Sequence, residues 1–292
     1  DYVPKSAIVL GGGVIGCEFA SVWKSFGADV TIIEGLPRLI ALEDETSSKQ
    51  LERAFRKRKI EFEVGSKFQS HTVNADSVTV NLENGKSFTA EVLLVAVGRG
   101  PVSAGIGYEE QGIAMDRGYV LVDNKCRTNV PGVWAVGDLI PTLQLAHVGF
   151  QEGILVAEEI AGLNPRPINY DGVPRVTYSE PEVASVGLST AVAKERGYDV
   201  EEISYDLAGN GKSQILKTAG SIKLVQQKGG PVLGIHMVGA RVGELIGEAQ
   251  VIYNWEANAQ DVAPFVHAHP TMNEAMGEAF LALAGKPLHA HG

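Results

Sequence analysis

The sequence predicts an α/β fold that gives way to an α+β arrangement in its last part. Two observations carry this. Short apolar segments alternate with helical patterns up to about residue 98, and from about residue 166 strands come first and helices later. The 292 residues are 45% apolar with ordinary Gly and Pro content, enough for two globular domains and part of a third. The expected segments are 1–98, 99–165 and 166–292.

Each element has a local reason. Residues 6–10 are short, apolar, β-branched and closed by glycines, as a buried parallel strand requires. A helix over 14–26 ends before Gly27, and 29–34 reads as the second strand. Asp44 is suited to N-cap a helix over 45–59, whose basic end, Arg56-Lys57-Arg58-Lys59, suits the helix dipole and reads as a solvated cap rather than a nucleic-acid patch. Alternation over 71–90 with Asn84-Gly85 predicts a hairpin, followed by an apolar strand over 91–97. Two short strands are expected within 118–138, the second over 132–136, then a helix over 147–162. Helices are expected near 189–197, 240–256 and 272–284.

Composition narrows the function. Twenty-five Lys and Arg against 35 Asp and Glu leave a net charge of −10, which argues against nucleic acid or anionic membrane as partners. The apolar runs are far too short to span a bilayer, and no secretory signal pattern is present. Two cysteines, Cys17 and Cys126, fit a reduced cytoplasmic setting. They stand 109 positions apart and form no CxxC or CxxxxC redox pair. The chain opens Asp1-Tyr2-Val3-Pro4 without Met and enters strand-forming sequence at Ser6. The expectation is a chain entering in mid-protein after a linker; a trimmed start of a complete protein is the alternative.

Gly11-Gly12-Gly13-Val14-Ile15-Gly16 is a GxGxxG that follows a strand and opens a helix. Gly11 permits the tight turn, Gly13 lets a pyrophosphate approach the backbone, and Gly16 lets helix and strand pack closely. The helix N-terminus then favours phosphate. Eighteen residues past Gly16, at the end of the second strand, lies Glu34. A carboxylate there accepts hydrogen bonds from ribose hydroxyls and repels a 2′-phosphate, so NAD is expected rather than NADP. Glu18, one turn into the helix on the same side as Val14, is an acid whose place near the helix start suits the dipole.

Asp138, at the end of a short apolar strand, can bind a sugar-like hydroxyl or cap the next helix. His147, at a helix start, is suited to cap or to offer its backbone amide, since that position disfavours a charged imidazole. His267 with His269, and His289 with His291, are spaced like metal-ligand pairs but lack a third ligand, so no metal is expected. His269 has a second reading: Pro270 stiffens its backbone and Glu274 follows five residues later, the kit for a general base oriented by an acid.

In order along the chain, Gly11 to Glu18, Glu34, Ala96-Val97-Gly98-Arg99, Thr128 to Asp138, Gln144-Leu145-Ala146-His147, Ser179 to Gly187 and His267 to Glu274 together resemble the flavin-dependent pyridine nucleotide-disulfide oxidoreductases. Within that family the resemblance is to its bacterial dihydrolipoamide-oxidising branch. It implies a Rossmann-like NAD-binding domain over 1–98, a partial FAD-binding domain over 99–165 and a C-terminal α+β dimerisation domain over 166–292. It implies that Phe68 and Gly98 join the NAD site, that Asp138 binds the FAD ribitol, and that Gln144, Leu145, Ala146 and His147 lie along the flavin. Glu18 would pair with a lysine beside the flavin that this chain does not contain. His269, oriented by Glu274, would take the proton of a dihydrolipoamide thiol, acting across a homodimer on the partner's disulfide and flavin. Lipoyl domains of 2-oxo acid dehydrogenase complexes or of the glycine cleavage system are the implied partners.

The departures are the family's first FAD motif and its CxxxxC disulfide, neither of which occurs here. The chain alone is therefore expected to be inactive. A non-enzymatic NAD-binding and dimerising fragment, another flavin disulfide reductase, or a transhydrogenase are the alternatives.

Overall fold

The computed structural model describes residues 2–289. It divides into two compact units, one formed by Asp1–Val97 with Pro174–Gly292 and the other by Gly98–Val173.

The first unit begins with β1 (Ser6–Leu10), α1 (Val14–Ser25), β2 (Asp29–Ile33), α2 (Glu45–Lys57) and β3 (Glu61–Glu63), then β4 (Phe68–Val73), β5 (Val78–Leu82), β6 (Ser87–Ala90) and β7 (Val92–Val95). A parallel sheet has the order β3-β2-β1-β7, with Ser6 opposite Asp29 and Ala7 opposite Val92. Strand order reverses beside β1, so the crevice at its carboxyl end is where ligands bind in such sheets. Val9, Ile32, Cys17, Ala20, Leu51 and Phe55 are fully buried between the sheet and its two helices. The Asp44 carboxylate accepts the Thr46 amide, which starts α2 as anticipated. The hairpin at Asn84-Gly85 joins β5 to β6 in a three-stranded antiparallel meander, β4-β5-β6, with Gly85 at φ +82°.

The second unit holds β8 (Met115–Asp116), β9 (Tyr119–Val120), a 3₁₀ turn at Gly137–Leu139 and α3 (Ala146–Ile160). The strand expected over 132–136 does not form. Pro131 offers no amide proton, Gly132 turns at φ +80°, and the Val133 amide folds back to the Val130 carbonyl. What remains is one antiparallel bridge between Arg127 and Trp134. The unit runs on to Val173 because Ile168 packs on the cluster around Leu155 and Ile140, and the Tyr170 hydroxyl reaches Glu152 at 2.9 Å.

The first unit resumes with β10 (Arg175–Thr177), β11 (Glu182–Gly187), α4 (Thr190–Glu195), β12 (Val200–Asp206), α5 (Gly211–Leu216), β13 (Ser221–Gln227), β14 (Val232–Gly239), α6 (Val242–Asn254), α7 (Ala259–Val262) and α8 (Glu274–Leu283). Five antiparallel strands take the order β10-β11-β14-β13-β12. Leu224, Ile235, Met237, Ala249, Met276 and Phe280 fill the core between this sheet and α6 and α8.

The two halves of this unit meet through polar contacts. Lys223 of β13, almost fully buried, donates to both Asp44 oxygens at 3.1 Å, and Ser185 donates to Glu43 at 2.5 Å. Arg58 is not the solvated cap expected of its basic run. It reaches Ser21 Oγ at 2.7 Å, Ser25 Oγ at 2.8 Å and the Glu180 carbonyl at 2.9 Å, tying α1 to the turn before β11. Arg56 lies over the Phe62 ring instead, 4.4 Å from its centre.

Candidate active site

The glycine turn is built by exclusion of side chains. Gly11 turns at φ +108°, and a Cβ there would run into the carbonyl of Ala96, just past the end of β7. A Cβ on Gly16 would strike the Gly11 carbonyl, which explains how α1 approaches β1 so closely. Gly12 is less constrained: a Cβ there would meet side chains rather than backbone, Leu39 Cδ2 at 2.6 Å and Glu34 Cβ at 3.0 Å. Gly13 differs: it is exposed, nothing lies within 4 Å of its notional Cβ, and as N-cap of α1 it supplies no side-chain hydrogen bond. The open first-turn amides of α1, with half-exposed Val14 and Ile15 beside them, form a ready anion cradle.

Glu34 follows the last residue of β2. Its Oε2 accepts the Gly12 amide at 2.5 Å and its Oε1 the Leu36 amide at 2.7 Å. Both oxygens are thus aimed before any ligand arrives, and each keeps a lone pair for a ribose hydroxyl. Glu18 takes the Tyr178 amide on its Oε1 at 2.8 Å, so it has a definite partner and is more than a charge suited to the dipole. Phe68 opens β4, with its ring centre 6.2 Å from that of His71 in the meander. Gly98, at φ +128°, begins the second unit.

In that second unit Asp138 lies in the 3₁₀ turn, half exposed, and accepts from Arg99 at 2.9 Å. Arg99 is equally exposed and also approaches the Gln144 carbonyl at 3.5 Å. Gln144 Nε2 is buried and has no hydrogen-bond partner among the described residues. Leu145 caps α3 without a side-chain bond, and Ala146 and His147 open the helix.

The acid-base pair forms as the spacing implied. His269 Nδ1 lies 2.8 Å from Glu274 Oε1, and the second Glu274 oxygen accepts the Thr271 amide at 2.8 Å. The Thr271 amide above all, opposed by burial and supported by the His269 ring, holds the Glu274 carboxyl below its ordinary range. A carboxylate on Nδ1 assigns the proton to that nitrogen and leaves Nε2 basic. The His269 side chain is 78% exposed, so that nitrogen is accessible. His269-Pro270 is a cis peptide.

Glu248, on α6, escaped the sequence reading. It accepts from His267 Nε2 at 2.9 Å with one oxygen and from Asn273 Nδ2 at 2.6 Å with the other. It therefore clamps both arms of the loop that carries His269. The hydrogen bond to Glu248 raises the His267 pKa. The only sequence signal was a glutamate at the inward face of a predicted helix, 19 positions before His267. His289 pairs with Glu278 at 2.8 Å, while His291 lies outside the described residues. Neither cysteine is poised for redox work: burial raises the Cys17 thiol far above its usual range and pushes Cys126 up to about 11.

The pyridine nucleotide-disulphide oxidoreductase family matches residues 1–153, and the dimerisation domain of the same family matches residues 173–280. The chain belongs to the pyridine nucleotide-disulphide oxidoreductases. It is 38% identical over 296 residues to a dihydrolipoyl dehydrogenase of Bacillus subtilis, a match covering 99% of this chain and 62% of the relative. It is 41% identical to the mitochondrial dihydrolipoyl dehydrogenase of Schizosaccharomyces pombe, covering 98% of this chain and 58% of that one. The chain thus spans about six-tenths of the length of these relatives. Among solved structures, LpdA from Mycobacterium tuberculosis superimposes with a TM-score of 0.90 at 26% identity, covering 97% of this chain and 62% of that one. The copper complex of the HOCl-induced flavoprotein disulfide reductase RclA from Escherichia coli gives a TM-score of 0.90 at 25% identity over 96% of this chain and 64% of that one.

Proposed function

We propose that this chain is the nucleotide-binding and interface part of a flavin-dependent dihydrolipoyl dehydrogenase, which reoxidises dihydrolipoamide and passes the electrons to NAD⁺. The carrying observation is the His269–Glu274 pair, with the carboxylate on Nδ1 and the ring exposed to solvent. The relatives named above support the choice of substrate.

The residues of each unit fit the cofactors of that reaction. In the first, the unfilled space at Gly13 and the uncapped amides of α1 suit a pyrophosphate, and the aimed Glu34 carboxylate suits an unphosphorylated ribose, hence NAD. In the second, the exposed Asp138 carboxylate suits ribityl hydroxyls, and Gln144 Nε2, which has no hydrogen-bond partner among the described residues, suits the polar edge of a flavin. Bound FAD supplies the two-electron relay between a dithiol and the nicotinamide. His269 Nε2 accepts the proton of a substrate thiol, generating the thiolate that attacks a disulfide. Glu274 keeps the ring in that tautomer and offsets the imidazolium charge that develops.

The match to a dimerisation domain over 173–280 supports a homodimer. Lipoyl domains of 2-oxo acid dehydrogenase complexes or of the glycine cleavage system, in the cytoplasm, complete the proposal, with domain limits at 1–98, 99–165 and 166–292. Among the described residues, no helix is long and apolar enough to cross a membrane. In the full-length enzyme His269→Ala is expected to lower lipoamide turnover by about 10² to 10⁴ while sparing NADH binding. Turnover left at the wild-type rate would overturn the assignment. Titration of the isolated chain with FAD and NADH checks whether each unit holds its cofactor alone.

A further inference from the structure

We propose that Glu152, buried in the middle of α3, is the positioning residue that fixes the Gly137–Asp138 turn and so sets the affinity of this unit for a flavin; the inference rests on the flavin reading given above. Glu152 is the only acidic residue of the Gly98–Val173 unit with no exposed surface among the described residues. Its carboxylate collects three donors: the Gly137 amide at 2.6 Å on Oε2, and Thr142 Oγ1 at 2.8 Å and the Tyr170 hydroxyl at 2.9 Å on Oε1. These donors come from the turn that bears Asp138, from the loop before α3 and from the segment after it. A buried carboxylate persists only when so satisfied, and its position then dictates where its partners lie. Tyr170 stays protonated and donating, because burial and then Glu152 itself raise the phenol well above its usual range.

Asp138 cannot hold itself in place. Its side chain is half exposed and meets only the equally exposed Arg99 among the described contacts. Pairs of that kind contribute little to position or stability. The backbone must fix it, and the residue just before Asp138 is the one whose amide Glu152 holds. Gly137 turns there at φ +73°, and a Cβ on Gly149, one helical turn back from Glu152 on α3, would lie 3.5 Å from the Gly137 Cα. The turn therefore rests directly on α3 with Glu152 as its tie. The chemistry also predicts which substitution is tolerated. Glutamine can keep its oxygen on the Gly137 amide while its Nε2 donates to the Thr142 and Tyr170 hydroxyls, which reverse to accept.

The test uses full-length apoprotein with Glu152→Ala, Glu152→Gln and, as control, Asp138→Ala. FAD dissociation is read by flavin fluorescence, NADH binding by calorimetry and folding by Tm. We expect Glu152→Ala to weaken FAD binding about tenfold or more, the loss of one charge-assisted tie, with NADH affinity unchanged. Glu152→Gln should stay within about threefold of wild type. If Asp138→Ala weakens FAD and Glu152→Ala does not, the positioning role is wrong. Should Asp138→Ala leave FAD binding intact, the flavin reading of this unit fails instead. Equal losses of FAD and NADH affinity in Glu152→Ala would reduce Glu152 to a general structural group. If that variant does not fold, Glu152→Asp, too short to reach the Gly137 amide, replaces it, and wild-type FAD affinity in the aspartate variant overturns the proposal.

Discussion

The glycine turn and the His269 loop both present chemistry from irregular backbone, yet they are held by opposite means. The turn is held by what is missing: Cβ atoms on Gly11, Gly12 and Gly16 would collide with backbone or with Leu39 and Glu34. The loop is held by what is added: Glu274 binds His269 and Thr271, and Glu248 binds His267 and Asn273. A site shaped by close approach breaks when a methyl is inserted. One shaped by directed hydrogen bonds breaks when an oxygen is removed.

That contrast is sharpest within the turn itself. Gly16→Ala is expected to cost about 3 kcal/mol or more of stability, because its methyl meets a carbonyl that cannot move without displacing β1. Gly13→Ala should leave stability within about 0.5 kcal/mol yet weaken NADH binding, since its methyl enters the space left for the ligand. Thermal melts and NADH titration of both variants check this; equal melting shifts would break the comparison.

At the loop, Glu248→Ala should cost about 1 to 3 kcal/mol and lower lipoamide turnover in the full-length enzyme without changing NADH affinity. The His267 pair also carries a pH signature. Its folded pKa is raised, so its contribution to stability is complete below the ordinary histidine value and is lost as pH climbs through the raised one. Glu274 runs the other way. Its folded pKa is depressed, so its contribution is present above the ordinary glutamate value and lost as pH falls through the lowered one. Melting curves across pH for wild type and Glu248→Gln test the first: the alkaline loss of stability should shrink in the variant. The smallest effect belongs to Arg99→Ala, which breaks an exposed ion pair and should shift stability by less than about 1 kcal/mol.

Much of this was legible along the chain. The strands β1 and β2, the helix between them and the Asp44 cap each announce themselves within a dozen residues, because hydrophobic period and capping chemistry are local. The His269–Glu274 pair was legible for the same reason, five positions apart around a proline. The strand expected over 132–136 misled because its apolar residues suit a strand while Pro131 and Gly132 turn the chain so tightly that its pairing stops at a single bridge, Arg127 with Trp134. Arg58 misled because a basic run at a helix end looks alike whether it faces water or a neighbouring segment 122 residues away.

By itself, the sequence determined the Rossmann-like half of the fold, the glycine spacing, the acid at Glu34 and the pairing of His269 with Glu274. Only the tertiary structure decided that a side chain on Gly12 would press on Leu39 and Glu34, that Glu34 is aimed by two amides, and that Glu248 and Glu152 clamp the loops they touch. The physical reason is range. Periodicity, caps and short motifs are set by neighbours in the chain, whereas a buried carboxylate finds its donors wherever folding brings them, at separations that leave no pattern in the sequence.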